Sequence, residues 1–202
     1  MGVQERRARQ KKGVREEILD AARTLFVKEG FESASIRKIA EKIEYSPGTI
    51  YLYFRDKSEI LESICEETFS RLARKLEGIN QDPSPPLDRL RRGLRVYVDF
   101  AVENPHHYIV TFVQGHPEIV GANSIYCSAG GNCFNSLRTG VGRCVEAGLL
   151  NSQDVDEAAQ ALWAGIHGIS SLLVTHPGFP FVEPNRLIDR VVDILIEGIR
   201  KR

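Results

Sequence analysis

Apolar side chains recur three and four positions apart along most of the chain, which is the spacing of α-helices rather than of strands. No run alternates between apolar and polar positions as a half-buried strand does, so the predicted fold class is all-α with about nine helices. The predicted helices cover residues 14–28, 36–43, 47–53, 57–77, 87–104, 106–113, 132–147, 153–175 and 184–199.

Residues that favour helix ends support these boundaries. Glycines at positions 30 and 148 are placed to end helices. The predicted N-caps are Ser35, Ser46, Asp56 and Ser152. Residues 78–86 contain three prolines and no periodicity, so they are the clearest linker, and the Gly-, Ser- and Asn-rich stretch 121–131 reads as a loop or a weak helix start.

Two short predicted helices meet at the tight break Glu44-Tyr45, and such a short turn forces a steep crossing, as in a helix-turn-helix. Ile50 and Phe54, four residues apart, form the packing face of the second helix. The residues left off this face are Pro47, Gly48, Thr49, Tyr51, Leu52 and Tyr53. Hydroxyls can bind DNA phosphates and apolar groups can contact thymine methyls, so this helix is predicted to enter a DNA groove.

The string Ser-Pro-Gly-Thr-Ile-Tyr-Leu-Tyr-Phe at 46–54, followed by Asp56-Lys57, resembles the signature of TetR-family transcriptional repressors. Residues 18–26 with Gly30-Phe31 resemble the same family, so the likeness spans about residues 14–60. This likeness implies that several of these residues contact DNA. Together with the residues left off the packing face of the second helix, the predicted DNA-binding set is Arg37, Ser46, Pro47, Gly48, Thr49, Tyr51, Leu52, Tyr53 and Lys57. Lys57 is expected to hold a phosphate together with the free N–H groups of the next helix.

Glu44 departs from the family pattern, which often has glycine in this turn. A non-glycine residue at positive φ costs about 1 kcal/mol, unless the turn avoids that conformation. The family also implies an all-helical homodimer with a ligand-binding body whose last two helices dimerise. Residues 161–168 resemble a Trp-His-Gly variant of this body. The apolar residues of 184–199 cover more than one helix face, which calls for a second packing partner, either the body or another subunit.

Formal net charge is zero, but the charges are unevenly placed. Residues 1–60 carry 13 basic and 10 acidic side chains, whereas residues 61–202 carry 14 and 17. The predicted domains are therefore a flexible basic arm at 1–13, a helix-turn-helix head at 14–60 and a ligand-binding and dimerisation body at 61–202. A basic arm is a common device for reaching along nucleic acid, although it could equally be a solvated tail.

Several function classes are not expected. The start of the chain is polar, and the longest apolar run, 162–174, is shorter than the roughly 20 residues of a membrane-spanning helix, so a cytoplasmic protein without membrane contact is predicted. No metalloprotease, hydrolase or phosphate-loop motif is present, so no enzyme activity and no cofactor are predicted.

In the body, aromatic and polar residues on apolar helices either line an effector pocket or form ordinary core. The candidates are Tyr97, Phe100, Tyr108, Phe112, Phe134, Trp163 and His167. His167 could bond a ligand or a neighbouring helix, and the glycines at 165 and 168 suggest close helix approach. His106-His107 could bind a metal with His116 or Glu118, but a surface loop is favoured and no metal is predicted.

The cysteines leave one alternative open. Cys127 and Cys133 could form a redox or metal pair, but reduced thiols are favoured because the protein is expected in the cytosol. The sequence therefore predicts a dimeric repressor that binds a palindromic DNA operator and is released by an apolar or aromatic small molecule. The alternative is a regulator that senses redox state through Cys127 and Cys133.

Overall fold

A computed structural model of the chain describes residues 2–114 and 129–201. Within these ranges the structure consists of helices and connecting turns, with no strand beyond one isolated bridge between Leu150 and Arg200. The nine helices are α1 (Val3–Glu29), α2 (Ile36–Lys42), α3 (Pro47–Tyr51), α4 (Lys57–Asn80), α5 (Pro86–Glu103), α6 (Pro105–Tyr108), α7 (Ala129–Glu146), α8 (Val155–Thr175) and α9 (Pro184–Ile199). The all-α prediction is confirmed.

Contacts divide the described chain into two compact units. The first unit contains residues 2–67 and 106–114, and the second contains 68–105 and 129–201. The predicted division at residue 60 falls inside α4, and the predicted body contributes residues 106–114 to the first unit. The assignment of separate functions to these parts remains a prediction.

The first unit has a core of fully buried side chains from α1 to α4. These include Ile18, Ala22, Phe26, Ile39, Ala40, Ile50, Phe54, Ile60, Leu61 and Ile64. α1 is tied to the later helices by Arg15, which donates to the Ser63 hydroxyl at 3.0 Å and lies 5.0 Å from the centre of the Phe54 ring. The spacing of Ile50 and Phe54 predicted that both would face the core, and both are buried.

The second unit packs α5, α7, α8 and α9 against one another. Its core contains Leu90, Leu94, Val98, Val141, Cys144, Leu162, Ile166, Ile188, Val192 and Ile196. At one edge of this unit the chain before α8 pairs with the end of α9, because Asn151 N–H donates to Ile199 at 2.9 Å and Lys201 N–H donates to Leu149 at 2.8 Å.

Most helix ends lie within three residues of the prediction, and three differences are informative. α1 begins at Val3 rather than near residue 14, so the predicted arm continues the helix, which its Glu, Gln, Arg and Lys residues permit without any apolar stripe. Asp154, not Ser152, caps α8, because its Oδ1 accepts from both Asp156 N–H and Glu157 N–H at 3.0 Å.

The third difference lies after α5. The predicted helix 106–113 is split into α6 and a π-helical segment, Ile109–Val113. Gln114 ends this segment, and its side-chain Nε2 donates to the carbonyl of Phe26 on α1 at 2.9 Å. The segment therefore packs on α1 within the first unit, a tertiary contact that sequence periodicity does not report.

Candidate functional site

The turn between α2 and α3 is held by backbone hydrogen bonds. Tyr45 N–H donates to the Ala40 carbonyl at 3.0 Å, and Glu44 N–H donates to Glu41 at 3.2 Å. Glu44 adopts φ 59°, so it occupies the left-handed conformation that a glycine would occupy more easily. The sequence left open whether Glu44 adopts a positive φ or the turn avoids it, and the structure shows the positive φ.

The N-terminus of α3 is built as predicted. Ser46 caps it, since its hydroxyl accepts from Thr49 N–H at 3.1 Å and lies 3.0 Å from the Thr49 hydroxyl. Pro47 occupies the first turn, where a missing N–H has no cost. The cap fixes the orientation of both hydroxyls at the start of this five-residue helix.

The outer face of α3 is exposed and has no packing function. Ile50 and Phe54 turn inward and are buried. In contrast, Tyr51 is 57% exposed and Leu52 is 76% exposed. Ser46, Pro47 and Gly48 are also exposed, as is Arg37 on α2, whereas Thr49 and Tyr53 are half-buried. An added Cβ at Gly48 would meet only the Ser46 hydroxyl, at 3.6 Å, so internal packing does not require glycine there.

Lys57 is the exception in the predicted DNA-binding set. Its ammonium points into the loop between α1 and α2 and donates to the carbonyl of Phe31 at 2.6 Å. The first turn of α4 is also occupied, because the Asp56 carboxylate accepts from Glu59 N–H at 2.9 Å and its pKa is held below the ordinary value by that bond and by Arg55. The sequence predicted that Lys57 would share a phosphate with free N–H groups at the start of α4. One of these groups, the Glu59 N–H, already donates to Asp56.

The second unit brings together four of the seven effector-site candidates. The Tyr97 hydroxyl lies 3.1 Å from His167 Nδ1, and Trp163 Nε1 donates to the same hydroxyl at 3.4 Å. Phe134 meets the Trp163 ring edge-on, with ring centres 6.0 Å apart. Burial lowers the pKa of His167, which favours the neutral ring and lets Nδ1 accept from the Tyr97 hydroxyl.

The other three candidates lie elsewhere. Phe100 is buried at the end of α5, where it forms one wall of an open concavity of about 480 Å³ lined by Arg71, Arg74 and Lys75 from α4. Tyr108 and Phe112 stack on each other with ring centres 5.3 Å apart, but they belong to the first unit. The seven residues thus form at least three separate groups along the described chain.

Among the described cysteines, all three are buried. Burial raises the pKa of Cys65 and of Cys144 to about 11, so both are protonated at neutral pH. Cys133 donates its S–H to the Phe69 carbonyl at 3.2 Å. Cys127, the proposed redox partner, lies outside the described residues, as do His116 and Glu118 of the metal alternative. Within the described ranges, no three His, Cys, Asp or Glu side chains form a group that could hold a metal ion.

Two further sequence predictions concern membrane-spanning helices and apolar surface on the last two helices. No helix in the described part of the chain is both long and apolar enough to cross a membrane. On α8 and α9, Leu172 and Ile194 remain 47% and 61% exposed although Ile188, Val192 and Ile196 fill the core. α9 thus keeps an exposed apolar side chain besides those that pack in the second unit.

Comparison with known families gives two matches. Residues 18–64 match the family described as bacterial regulatory proteins, tetR family, and residues 90–195 match the tetracyclin repressor-like C-terminal domain. The second match alone covers more than half of the chain.

Related proteins are transcriptional regulators. The chain is 34% identical over 101 residues to the uncharacterised HTH-type regulator YfiR of Bacillus subtilis, a match that covers 47% of the chain and 49% of YfiR. It therefore spans about half the length of that relative. It is 29% identical over 157 residues to AcrR of Shigella flexneri, which covers 75% of the chain and 73% of AcrR.

The fold is also found among solved structures. FadR from Bacillus subtilis in complex with stearoyl-CoA superposes with a TM-score of 0.73 at 21% identity, covering 91% of the chain and 98% of FadR. At this level of identity the likeness concerns the fold.

Proposed function

Because the chain belongs to the TetR family of bacterial regulatory proteins, we propose that it is a homodimeric transcriptional repressor that releases DNA when it binds a small molecule. One observation carries the DNA-binding part of the proposal. The outer face of α3 exposes Tyr51 and Leu52, which lie outside the core of the first unit. An exposed aromatic and aliphatic pair on a short capped helix is well suited to the edges of bases in a major groove.

Each neighbouring residue has a defined part in this interface. The Ser46 and Thr49 hydroxyls, fixed by the α3 cap, suit phosphate oxygens. Gly48 lets the backbone approach DNA, since nothing inside the protein requires a glycine there. Arg37 adds an exposed cation from α2, and Pro47 and Tyr53 complete the surface.

The DNA-binding role can be tested with Tyr51→Ala and a matched control. The control is Phe179→Ala, which removes a similarly exposed aromatic ring (60%, against 57% for Tyr51) from the loop between α8 and α9. Loss of a base contact costs about 1–3 kcal/mol, so Tyr51→Ala should weaken binding to a selected duplex by about 5- to 150-fold. Phe179→Ala should bind normally. If Tyr51→Ala binds as tightly as the control, α3 does not read DNA.

The dimer is proposed to form through α8 and α9. Their exposed apolar residues, Leu172 and Ile194, sit on helices that the second unit already packs on another side. Two-fold pairing of these surfaces would present two α3 helices to a palindromic operator. Ile194→Glu should convert the protein to a folded monomer in sedimentation, whereas the equally exposed Val182→Glu in the preceding loop should remain dimeric. A dimeric Ile194→Glu protein would exclude this surface.

The effector is proposed to bind beside Tyr97, Trp163 and His167. These side chains combine aromatic walls with hydroxyl and ring-nitrogen groups, a composition typical of small-molecule sites. The likeness in fold to a regulator solved with stearoyl-CoA supports a small molecule that carries a long apolar chain as the class of effector. A compound found by thermal shift should raise the melting temperature and weaken DNA binding in wild type. A compound that stabilises Trp163→Ala equally well would place the site elsewhere.

A further inference from the structure

Two lysines organise the loop between α1 and α2. The Lys57 ammonium donates to the carbonyl oxygens of Phe31 at 2.6 Å, Ala34 at 3.2 Å and Glu32 at 3.4 Å. The remaining carbonyl of this run, that of Ser33, accepts from Lys38 at 3.0 Å. Four consecutive backbone carbonyls therefore have ammonium partners.

The Lys57 ammonium is fully used by these contacts. It has three N–H donors and three carbonyl acceptors, and it also lies 4.1 Å from the centre of the Phe31 ring. A cation over an aromatic face gains further electrostatic attraction. To reach a phosphate, this group would have to leave several partners at once and leave the loop carbonyls without donors.

The loop leads directly into the DNA-binding elements. Ser35, the next residue, caps α2 by accepting from Lys38 N–H at 3.3 Å. Lys38 is itself anchored to α1, because its ammonium lies 2.6 Å from the Glu29 carboxylate. α2 then packs on α3 through buried Ile39 and Ala40. A loop that loosens would therefore change how α2, and with it α3, is presented.

We propose that Lys57 is a positioning residue that holds the α1–α2 loop in the free protein and on DNA, and that it is not a phosphate ligand. This assignment rests on the proposed DNA-binding function, and it replaces the phosphate contact that the family resemblance implied for Lys57. Arg37 provides the contrast, because it is an exposed cation on α2 that forms no hydrogen bond or ion pair with any described residue.

The first test compares Lys57→Met with Arg37→Met in full-length protein. Each phosphate contact contributes about 0.9 to the slope of log affinity against log salt. Lys57→Met should weaken DNA binding by about tenfold, which is the loss typical of a misplaced base contact. The slope of its log affinity against log salt should be the same as that of wild type. Arg37→Met should lower the slope by about 0.9. A slope lowered by the same amount in Lys57→Met, or an unchanged affinity, would overturn the proposal.

The second test uses wild-type protein, so it does not depend on the variant folding. Lysine acylation with acetic anhydride, read by mass spectrometry, should modify Lys57 far more slowly than Lys12, whose side chain is 79% exposed. DNA should protect Lys57 no further. Rapid modification of Lys57 in free protein followed by protection on DNA would identify a phosphate ligand instead. If wild type binds no DNA at all, the proposed function fails, while slow modification of free Lys57 still tests the loop contacts.

Discussion

A close contact between α8 and α9 makes a sharp prediction about Gly165 on α8. A Cβ built at this position would lie 2.5 Å from Leu195 Cδ2, 2.8 Å from Cδ1 and 3.2 Å from Cγ on α9. Ordinary carbon contacts are about 3.5–4.0 Å. Because Cγ is also too close, rotating the Leu195 methyl groups cannot relieve the overlap, so Leu195 or α9 must shift.

The size of the effect follows from two opposing terms. Replacing glycine by alanine inside a helix stabilises it by about 1 kcal/mol. Overpacking of this kind typically costs about 1–3 kcal/mol. The matched control is Gly142→Ala on α7, where a new Cβ meets nothing within 4 Å and only the helix term applies. The two alanine variants should therefore differ in free energy of unfolding by about 1–3 kcal/mol.

Urea denaturation at one fixed protein concentration measures this difference. A thermal scan should place the melting temperature of Gly165→Ala below that of Gly142→Ala by about 2–4 °C for each kcal/mol. Adding Leu195→Ala to Gly165→Ala should remove the overlap, so the two changes should be strongly non-additive. If Gly165→Ala is as stable as Gly142→Ala, the close α8–α9 contact is wrong.

Three further predictions concern titration, thiol chemistry and salt. Burial lowers the pKa of His167 below its ordinary 6.5, so the unfolded chain binds the proton more readily than the folded protein. Wild type should therefore lose stability relative to His167→Gln as the pH falls from 7 through 6.5. Parallel curves of stability against pH for the two proteins would contradict this. With pKa values of about 11, Cys65 and Cys144 should react with iodoacetamide at pH 8 only after denaturation, as read by mass spectrometry. Fast alkylation of either thiol in the native protein would contradict its burial. Deleting residues 1–12, which include several exposed cations at the start of α1, should weaken DNA binding and reduce the salt dependence of the affinity. If the truncated protein keeps the salt dependence of wild type, this segment does not contact DNA.

Much of the fold was available from local patterns. Ile50 and Phe54 are buried as their spacing predicted, and Ser46 caps α3 as its position before Pro47 predicted. Gly165 packs closely, as predicted, whereas a Cβ at Gly168 would meet nothing within 4 Å, so the prediction was wrong there. These features succeed because they depend on neighbours within one or two helical turns.

Features that depend on distant partners were not predictable. Lys57 at the start of α4 looks like a phosphate ligand in the sequence, and only the fold shows that the carbonyls of residues 31–34 surround it. Ser152 was the predicted cap of α8, but the cap is Asp154, because its side chain is the one that reaches two N–H groups. The π-helical segment after α6 likewise follows from packing on α1, which leaves no periodic signal.

The site shows the same division between local and tertiary information. Tyr51 and Leu52 were identified because an apolar pair off the packing face has no local explanation, and both are exposed. The aromatic residues of the body could not be sorted by sequence, since a core side chain and a pocket side chain share the same helical spacing. Only the structure shows Tyr97 bonded to His167 in one unit and Tyr108 stacked on Phe112 in the other.

Selection of DNA duplexes from a random pool by the purified full-length protein tests the central claim most directly. A dimer that places two α3 helices in successive major grooves should enrich an inverted repeat whose half-sites are about one helical turn apart. Tyr51→Ala should fail to enrich that sequence under the same conditions. A pool with no enriched sequence, or a single half-site without two-fold symmetry, would contradict the account.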